Sequence, residues 1–389
     1  MRSIGRCYLL PLYAALALCI LAGCGVSIQA PVASAAAEWP MEGYNPARNR
    51  DTNAEVHLPL VEAGEYPLSG VTEQTGPVSI ADGLLFAEGD QKLHALTLAD
   101  GKEQWQINLA GSYLSPAVAA GSVFVRAEAG ENGFVIALQA DSGAKLWQYQ
   151  FDRVGSSYDN IGGHVTSPVV VDGLVLVGAD EAFYALDAAD GHVVWRFATE
   201  YPVISSAAVA DGVVYFGDFV RLYAIDLKQG AERWRYDHGE LTLYFAPVLF
   251  GDEVALASYD TIIVLNRASG AKQWSKRFAD MQVIPAGASR SHLYVKATNQ
   301  LWALNIADGT TAWNFATTAF VSLPAITSDQ IFVVTRSDGG SQIRALAQSD
   351  GRELWRHEQT GLLNAAPVVV DGRLYLRGNA GAVLVFAPS

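Results

Sequence analysis

Cysteine is almost absent from this sequence. Of 389 residues only three are Cys, and Cys7, Cys19 and Cys24 all lie near the N-terminus. The remainder of the chain therefore has no disulfide, no thiolate metal site and no cysteine nucleophile. A folded domain without such cross-links must be held together by packing and by sheet closure.

Positive charge is also scarce. Lys and Arg number 26 against 40 acidic residues, which gives a formal net charge of −14, and no run of basic residues occurs. Nucleic acids and anionic lipids bind clustered Lys and Arg, so the sequence argues against both as partners. Half of the residues are apolar and 17% are charged, which is enough for a large buried core.

The common motifs of catalytic and metal sites are missing as well. The seven His residues show no H-x-x-x-H or H-E-x-x-H spacing, and G-x-S-x-G, P-loop and D-x-D-x-D-G motifs do not occur. We therefore predict no catalytic residues, no metal site and no enzymatic activity.

A single long apolar run is present, at the N-terminus. It spans Cys7–Gly23, follows Arg2 and Arg6, and ends in the stretch LAGC, Leu21–Cys24. This arrangement is typical of an export signal, and LAGC resembles a bacterial lipobox, whose Cys becomes the lipidated first residue. The alternative is cleavage at the A-x-A site Ala33–Ala35. We predict a signal peptide over residues 1–23, lipidation at Cys24, a flexible tether over 24–38 and a folded domain over 39–389.

A repeated phrase dominates the rest of the chain. Seven tryptophans recur at spacings of 39 to 48 residues, and a glycine precedes each by four positions. The tryptophans are Trp105, Trp147, Trp195, Trp234, Trp274, Trp313 and Trp355, and the glycines are Gly101, Gly143, Gly191, Gly230, Gly270, Gly309 and Gly351. A fixed period of about 40 residues indicates a repeat architecture.

Each repeat reads as four short strands separated by Gly or Asp-Gly turns. In the last strand of one repeat, alternation places Val193, Trp195 and Phe197 on one side and Val194 and Arg196 on the other. Four-stranded units at this period predict an all-β propeller of antiparallel blades. We expect each tryptophan to fill the gap between adjacent blades, and each glycine to leave room for a neighbouring indole.

The number of blades follows from the two ends of the repeat region. After Trp355 the chain supplies three more strands, and the segment His57–Gly64 is strand-like but belongs to no repeat. We predict that this segment completes the last blade as its outer strand, where Pro59 is tolerated. The ring would then have eight blades, with seven as the alternative.

The phrases FYALDAADGHVVW and LYAIDLKQGAERW carry a family resemblance. They are similar to the repeat of pyrroloquinoline-quinone (PQQ)-type β-propellers over roughly residues 76–386. With its lipobox, tether and propeller, the chain also resembles BamB-like propeller lipoproteins, which implies scaffolding in envelope protein assembly. The family's quinoprotein dehydrogenases imply an alternative with PQQ and Ca²⁺, but their vicinal disulfide and long insertions are missing. We therefore expect no cofactor.

Departures from the repeat mark the candidate binding surface. The longest spacing carries an insertion, Phe151–Pro168, whose polar and aromatic residues are typical of interfaces or, equally, of a solvated loop. These residues are Asp152, Arg153, Tyr158, Asp159, Asn160 and His164. The links that lead into the inner strands add Tyr113, Tyr201, Tyr244, Phe320 and Asn364 around the channel mouth, where they would bind a ligand or simply plug the channel.

Taken together, the sequence predicts an extracytoplasmic, membrane-anchored propeller that binds rather than catalyses. We expect a monomer with a protein partner and a lipid anchor. A quinone-binding dehydrogenase-like protein and a glycan-binding propeller are the alternatives.

Overall fold

The computed structural model describes residues 38–68, 76–109, 115–129, 132–151, 166–203, 205–238, 245–363, 365–378 and 381–389. These residues form 33 β-strands in eight antiparallel sheets and contain no helix. The first strands lie against one another in several successive pairs of sheets, β2 with β6, β6 with β10, β14 with β18 and β18 with β22, as expected of blades around a common axis. The predicted all-β propeller is confirmed.

The blades are numbered in chain order, and their strands run from the axis outwards. Blades one to four contain β2 Ser79–Ala81, β3 Leu84–Gly89, β4 Lys92–Thr97, β5 Glu103–Asn108; β6 Ala117–Ala119, β7 Ser122–Ala129, β8 Asn132–Gln139, β9 Lys145–Gln150; β10 Val169–Val171, β11 Leu174–Ala179, β12 Ala182–Asp187, β13 Val193–Ala198; and β14 Ala208–Ala210, β15 Val213–Gly217, β16 Arg221–Asp226, β17 Glu232–Asp237.

Blades five to seven contain β18 Val248–Phe250, β19 Glu253–Ser258, β20 Thr261–Asn266, β21 Lys272–Arg277; β22 Ile284–Ala288, β23 His292–Ala297, β24 Gln300–Asn305, β25 Thr311–Ala316; and β26 Phe320–Val321, β27 Ala325–Ile326, β28 Gln330–Ser337, β29 Gly340–Ala347, β30 Glu353–Gln359. In the seventh blade the inner strand is split into β26 and β27, and both pieces pair with β28.

The eighth blade closes the ring with both ends of the chain. Its strands are β31 Val368–Val370, β32 Arg373–Arg377 and β33 Ala382–Pro388, and β1 Leu60–Pro67 pairs with β33 as the outermost strand. The prediction of eight blades closed by an N-terminal strand is confirmed, and seven blades is wrong. The strand begins at Leu60 rather than His57, directly after Pro59, whose ring cannot donate a ladder hydrogen bond.

One detail of the predicted alternation is wrong. Trp195 pairs with Ala185, but Val193 pairs with Leu186, because a β-bulge inserts Val194 between them. The bulge places Val193 on the face opposite Trp195, and its side chain is 37% exposed whereas that of Trp195 is 8% exposed. Each of the other repeats has a register shift at the same place, directly after the turn glycine.

The segment before β1 follows the axis of the propeller. Residues 39–56 form turns over 41–47 and then continue without regular secondary structure, and their carbonyl oxygens accept hydrogen bonds from the free edges of the inner strands. The donors are backbone N–H groups of Ile80, Val118, Val209, Leu249, Ala288 and Ile326, which belong to six different blades; the acceptors are, in the same order, the carbonyls of Trp39, Pro40, Pro46, Ala47, Asn49 and Arg50. The axial segment thus satisfies edge groups that would otherwise be buried without partners.

The junction between the eighth and first blades contains buried polar groups. Arg377 donates to the carbonyl oxygen of Glu88 at 2.5 Å across this junction. His94 is completely buried beside them, and its Nδ1 lies 2.7 Å from a carboxylate oxygen of Glu103. Burial lowers the pKa of His94 below its usual value, although Glu103 opposes the change.

The buried His94 predicts a loss of stability in mild acid. The unfolded chain protonates this ring near pH 6.5, whereas the folded protein resists protonation, so the free energy of unfolding should fall as pH drops below about 6.5. We expect His94→Gln to flatten this pH dependence in urea unfolding between pH 7 and 5. His57→Gln is the control, because His57 is exposed. Parallel curves for the wild type and His94→Gln would contradict the prediction.

Candidate functional site

A cavity lies on the axis, on the side where the chain enters the inner strands. It encloses about 440 Å³. Its walls come from links that precede inner strands and from the strands themselves, and its floor comes from the axial segment. The lining residues are Glu42, Arg50, Gly76, Pro77, Phe245, Ile284, Lys296, Ser322, Leu323, Leu363, Ala365 and Ala366.

Glu42 on the cavity floor is firmly held. Arg48 Nη2 lies 3.1 Å from its carboxylate, and the Ser167 hydroxyl of the third blade donates a short hydrogen bond to the same oxygen. Burial alone would raise the pKa of Glu42, but Arg48, Ser167 and Arg50 together lower it below its usual value. The carboxylate is therefore ionised and already paired, which makes it a weak proton acceptor.

Two further cations line the cavity, and among the described residues neither makes an ion pair within 4 Å, although Arg50 is attracted by Glu42 at longer range. Arg50 is 4% exposed, and its Nη1 has no hydrogen-bond partner among the described residues. Burial lowers the pKa of Arg50 to about 10. Lys296 lies in β23 on the cavity wall, and burial lowers its pKa as well. Among the described lining residues, two cations thus face one carboxylate.

The repeated tryptophans lie at the blade junctions. Six of them donate from Nε1 to a carbonyl of the next blade at 2.8 to 3.0 Å: Trp105 to Ala140, Trp147 to Ala188, Trp195 to Leu227, Trp234 to Arg267, Trp274 to Ile306 and Trp313 to Gln348. The same indoles cover the turn glycines of those next blades, where an added Cβ would come within 2.5 to 2.8 Å of the ring: Gly143, Gly191, Gly230, Gly270, Gly309 and Gly351.

The eighth junction uses residues that the repeat pattern did not reveal. Tyr66 of β1 covers Gly101, and its hydroxyl donates to the carbonyl of Leu98 at 2.8 Å. Trp355 has no corresponding glycine, because in the eighth blade the outer strand β1 does not follow β33 in the chain and the turn between the last two strands is absent. It packs instead against the core cluster of that blade and stacks on His357.

The candidate binding residues of the insertion after the second blade are not among those that the structure describes. Asp152, Arg153, Tyr158, Asp159, Asn160 and His164 lie outside the described residues, as do Cys24, Tyr113, Tyr244 and Asn364. Of the rim residues that are described, Tyr201 is partly buried and Phe320 is 57% exposed. Neither lines the axial cavity, whose aromatic residue is Phe245. The sequence did not identify Glu42, Arg50 or Lys296.

Within the described residues, one group of side chains has metal-like spacing. Ligand atoms of Asp187, Asp190 and His192 lie within 4.8 Å of one another on an exposed turn. The carboxylates already accept turn hydrogen bonds, from the N–H of Ala189 to Asp187 and from the N–H of His192 to Asp190. This arrangement is that of ordinary Asx turns.

The family of the chain follows from comparison with known sequences. A family model described as outer membrane protein assembly factor BamB matches residues 62–157, 153–242 and 258–389. The chain belongs to the BamB family. The resemblance inferred from the repeated phrases is therefore confirmed.

Individual BamB relatives are distant. BamB of Yersinia pestis is 33% identical over 127 residues, which are 30% of this chain and 32% of the relative. BamB of Shewanella oneidensis is 21% identical over 314 residues, which are 79% of this chain and 70% of the relative. The first match thus spans about a third of the relative's own length.

Solved structures show the same architecture. The quinohemoprotein alcohol dehydrogenase of Comamonas testosteroni superimposes with a TM-score of 0.69 at 15% identity, over 90% of this chain and 80% of that one. At this identity the likeness concerns the fold alone. In the described part of this BamB-family chain, no helix is long and apolar enough to cross a membrane.

Proposed function

We propose that this BamB-family propeller is a protein-binding scaffold of the cell envelope. In this proposal it is exported, lipidated at Cys24 and tethered by residues 24–38, and it does not catalyse a reaction. Membership of the family of an outer membrane protein assembly factor is the observation that carries the proposal.

The geometry of the site supports binding over catalysis. The carboxylate on the cavity floor, Glu42, is ionised and engaged by Arg48 and Ser167. A general base needs a pKa near the working pH and a free position beside the substrate. The rigid ring, in contrast, presents its linking loops from a fixed frame, which is the usual arrangement of a recognition surface.

The partner is expected to contact the insertion between the second and third blades. A photo-crosslinking amino acid at Tyr158 should give one discrete adduct in the native envelope. Replacing Arg153, Tyr158 and Asp159 together by Ala should abolish pull-down of the protein identified in that adduct while the melting temperature stays unchanged. A matched triple variant at exposed outer-strand positions, Lys145, Gln148 and Gln150, should leave capture intact. Unchanged capture by the loop variant would remove the loop from the proposal.

The anchor and the enzymatic alternative are tested separately. Cys24→Ser should release the protein from the membrane fraction and prevent incorporation of labelled fatty acid.

A quinone-dependent dehydrogenase would reduce a dye with alcohols or sugars after addition of PQQ and Ca²⁺, and we expect no such reduction. Dye reduction above the level of the boiled protein would contradict the scaffold proposal.

A further inference from the structure

The axial cavity has the construction of a ligand site. Its volume of about 440 Å³ lies within the range of pockets for small organic molecules, about 300–1,000 Å³. Phe245, Ile284, Leu323 and Leu363 supply apolar surface, and Arg50, Lys296 and Glu42 supply the charged groups. A few polar groups in a mostly apolar pocket are typical of a site that orients one kind of ligand.

The floor of this cavity is held rigidly. Arg50 accepts a backbone hydrogen bond from Ile326 at 3.0 Å and donates one to Gly43 at 3.3 Å. The backbone of Gly287 packs so closely that an added Cβ would lie 2.8 Å from the carbonyl oxygen of Asn49 and 3.4 Å from Arg50 Cβ. The backbone of Arg50 is therefore held from both sides before any ligand arrives, which lowers the entropic cost of binding.

Among the described lining residues of the cavity, cations outnumber carboxylates. Glu42 is shared between Arg48, at 3.1 Å, and the hydroxyl of Ser167. Among the described residues, Arg50 Nη1 is buried without a hydrogen-bond partner, and no ion pair or hydrogen bond engages Lys296. A buried cation with an unused donor is costly unless an anion completes it. Carboxylates are the organic anions that match a guanidinium and an ammonium by charge-assisted hydrogen bonds.

We propose that the axial cavity binds a small organic carboxylate. Its carboxylate group accepts hydrogen bonds from Arg50 and Lys296, and its apolar part packs against Phe245, Ile284 and Leu323. Glu42 disfavours a second acidic group at the floor and so selects for monocarboxylates. This site does not depend on the scaffold function proposed above, because it uses the axis and not the insertion after the second blade.

The test is calorimetric titration of the full-length protein with phenylacetate and with its neutral analogue, phenylacetamide. We expect phenylacetate to bind and the amide to bind about tenfold more weakly or not at all. Only the anion can accept charge-assisted hydrogen bonds from both cations, Arg50 and Lys296. Sulfate should also bind more weakly, because it leaves the apolar wall uncovered. Equal affinity for acid and amide, or no binding of phenylacetate up to saturation of its solubility, would overturn the proposal. If sulfate binds as tightly as phenylacetate, the proposal that the ligand is an organic carboxylate is wrong.

Variants assign the site to the axis. Lys296→Met should weaken phenylacetate binding about tenfold or more, and Lys145→Met, at an exposed position of the outer strand β9, should leave it unchanged. Arg50→Lys keeps the charge but removes the planar donor pair, so it should weaken binding without abolishing it. If Lys296→Met does not fold, a crystal soaked with para-bromophenylacetate gives the answer, because bromine density must appear in the axial cavity. Bromine elsewhere, or unchanged affinity in Lys296→Met, would refute the site.

Discussion

Replacing Gly191 with alanine should destabilise the protein much more than the same replacement at Gly173 of the same blade. Both glycines have a left-handed backbone, with φ of +78° and +76°. An added Cβ at Gly191 would lie 2.5 Å from Cε3 of Trp147, whereas nothing lies within 4 Å of one at Gly173. The comparison therefore separates the cost of the backbone conformation from the cost of displacing the indole.

The expected sizes follow from these two contributions. Gly173→Ala should lose about 1–2 kcal/mol of unfolding free energy through its backbone alone. Gly191→Ala should lose about 3 kcal/mol or more, because the blade junction must also open to admit a methyl group. Urea unfolding at equilibrium measures both, and the effect of alanine on the unfolded chain cancels in the comparison. Equal losses would show that the indole does not need to lie against the glycine.

Removing the ring of Tyr66 should open the junction between the eighth and first blades. Its side chain is 6% exposed, and it covers Gly101 as the tryptophans cover the other turn glycines. Tyr66→Ala should cost about 3–5 kcal/mol. Tyr66→Phe keeps the ring and loses only the hydrogen bond to Leu98, so it should cost about 0.5–1.5 kcal/mol.

The location of the damage can be measured as well as its size. Limited proteolysis of Tyr66→Ala should cut first within β1, since this strand is held to the rest of its blade by β33 alone. Tyr259→Ala is the matched control, because Tyr259 is 51% exposed and a surface substitution of this kind changes stability by about 0.5 kcal/mol or less. First cleavage in another blade would contradict a local role of Tyr66 in ring closure.

The parts of the fold that repeat were predictable from sequence. Seven tryptophans with a glycine four positions before each reveal the blade period, because packing between identical neighbours demands the same residue at each junction. The incomplete last repeat and the unassigned strand before Gly64 together revealed the closure. Two features escaped: the β-bulge before each tryptophan, which the alternation of residue types does not reveal, and Tyr66, which lies outside the repeated phrase.

The axial site could not be predicted in this way. The segment over residues 39–56 has neither helical nor strand periodicity, since it follows the inner edges of many blades and does not form a sheet of its own. Arg50 comes from this segment and Lys296 from the sixth blade, so only the closed ring brings them to one cavity. Arg48 and Arg50 were a useful signal. They are two cations close together in an otherwise acidic chain, and a propeller has a central channel that a segment outside the blades can occupy.

The axial segment also constrains the order in which the protein is assembled. The hydroxyl of Thr52 donates to the carbonyl of Ile326, 274 residues later, and Gln330 donates from its side chain to the carbonyl of Val56. The end of the axial segment, Thr52–Val56, therefore lacks these partners until the seventh blade exists. Contacts between such remote positions slow folding, and until they form, the inner strands carry open hydrogen-bonding edges that attract other chains. A protein of this design needs protection during its own maturation.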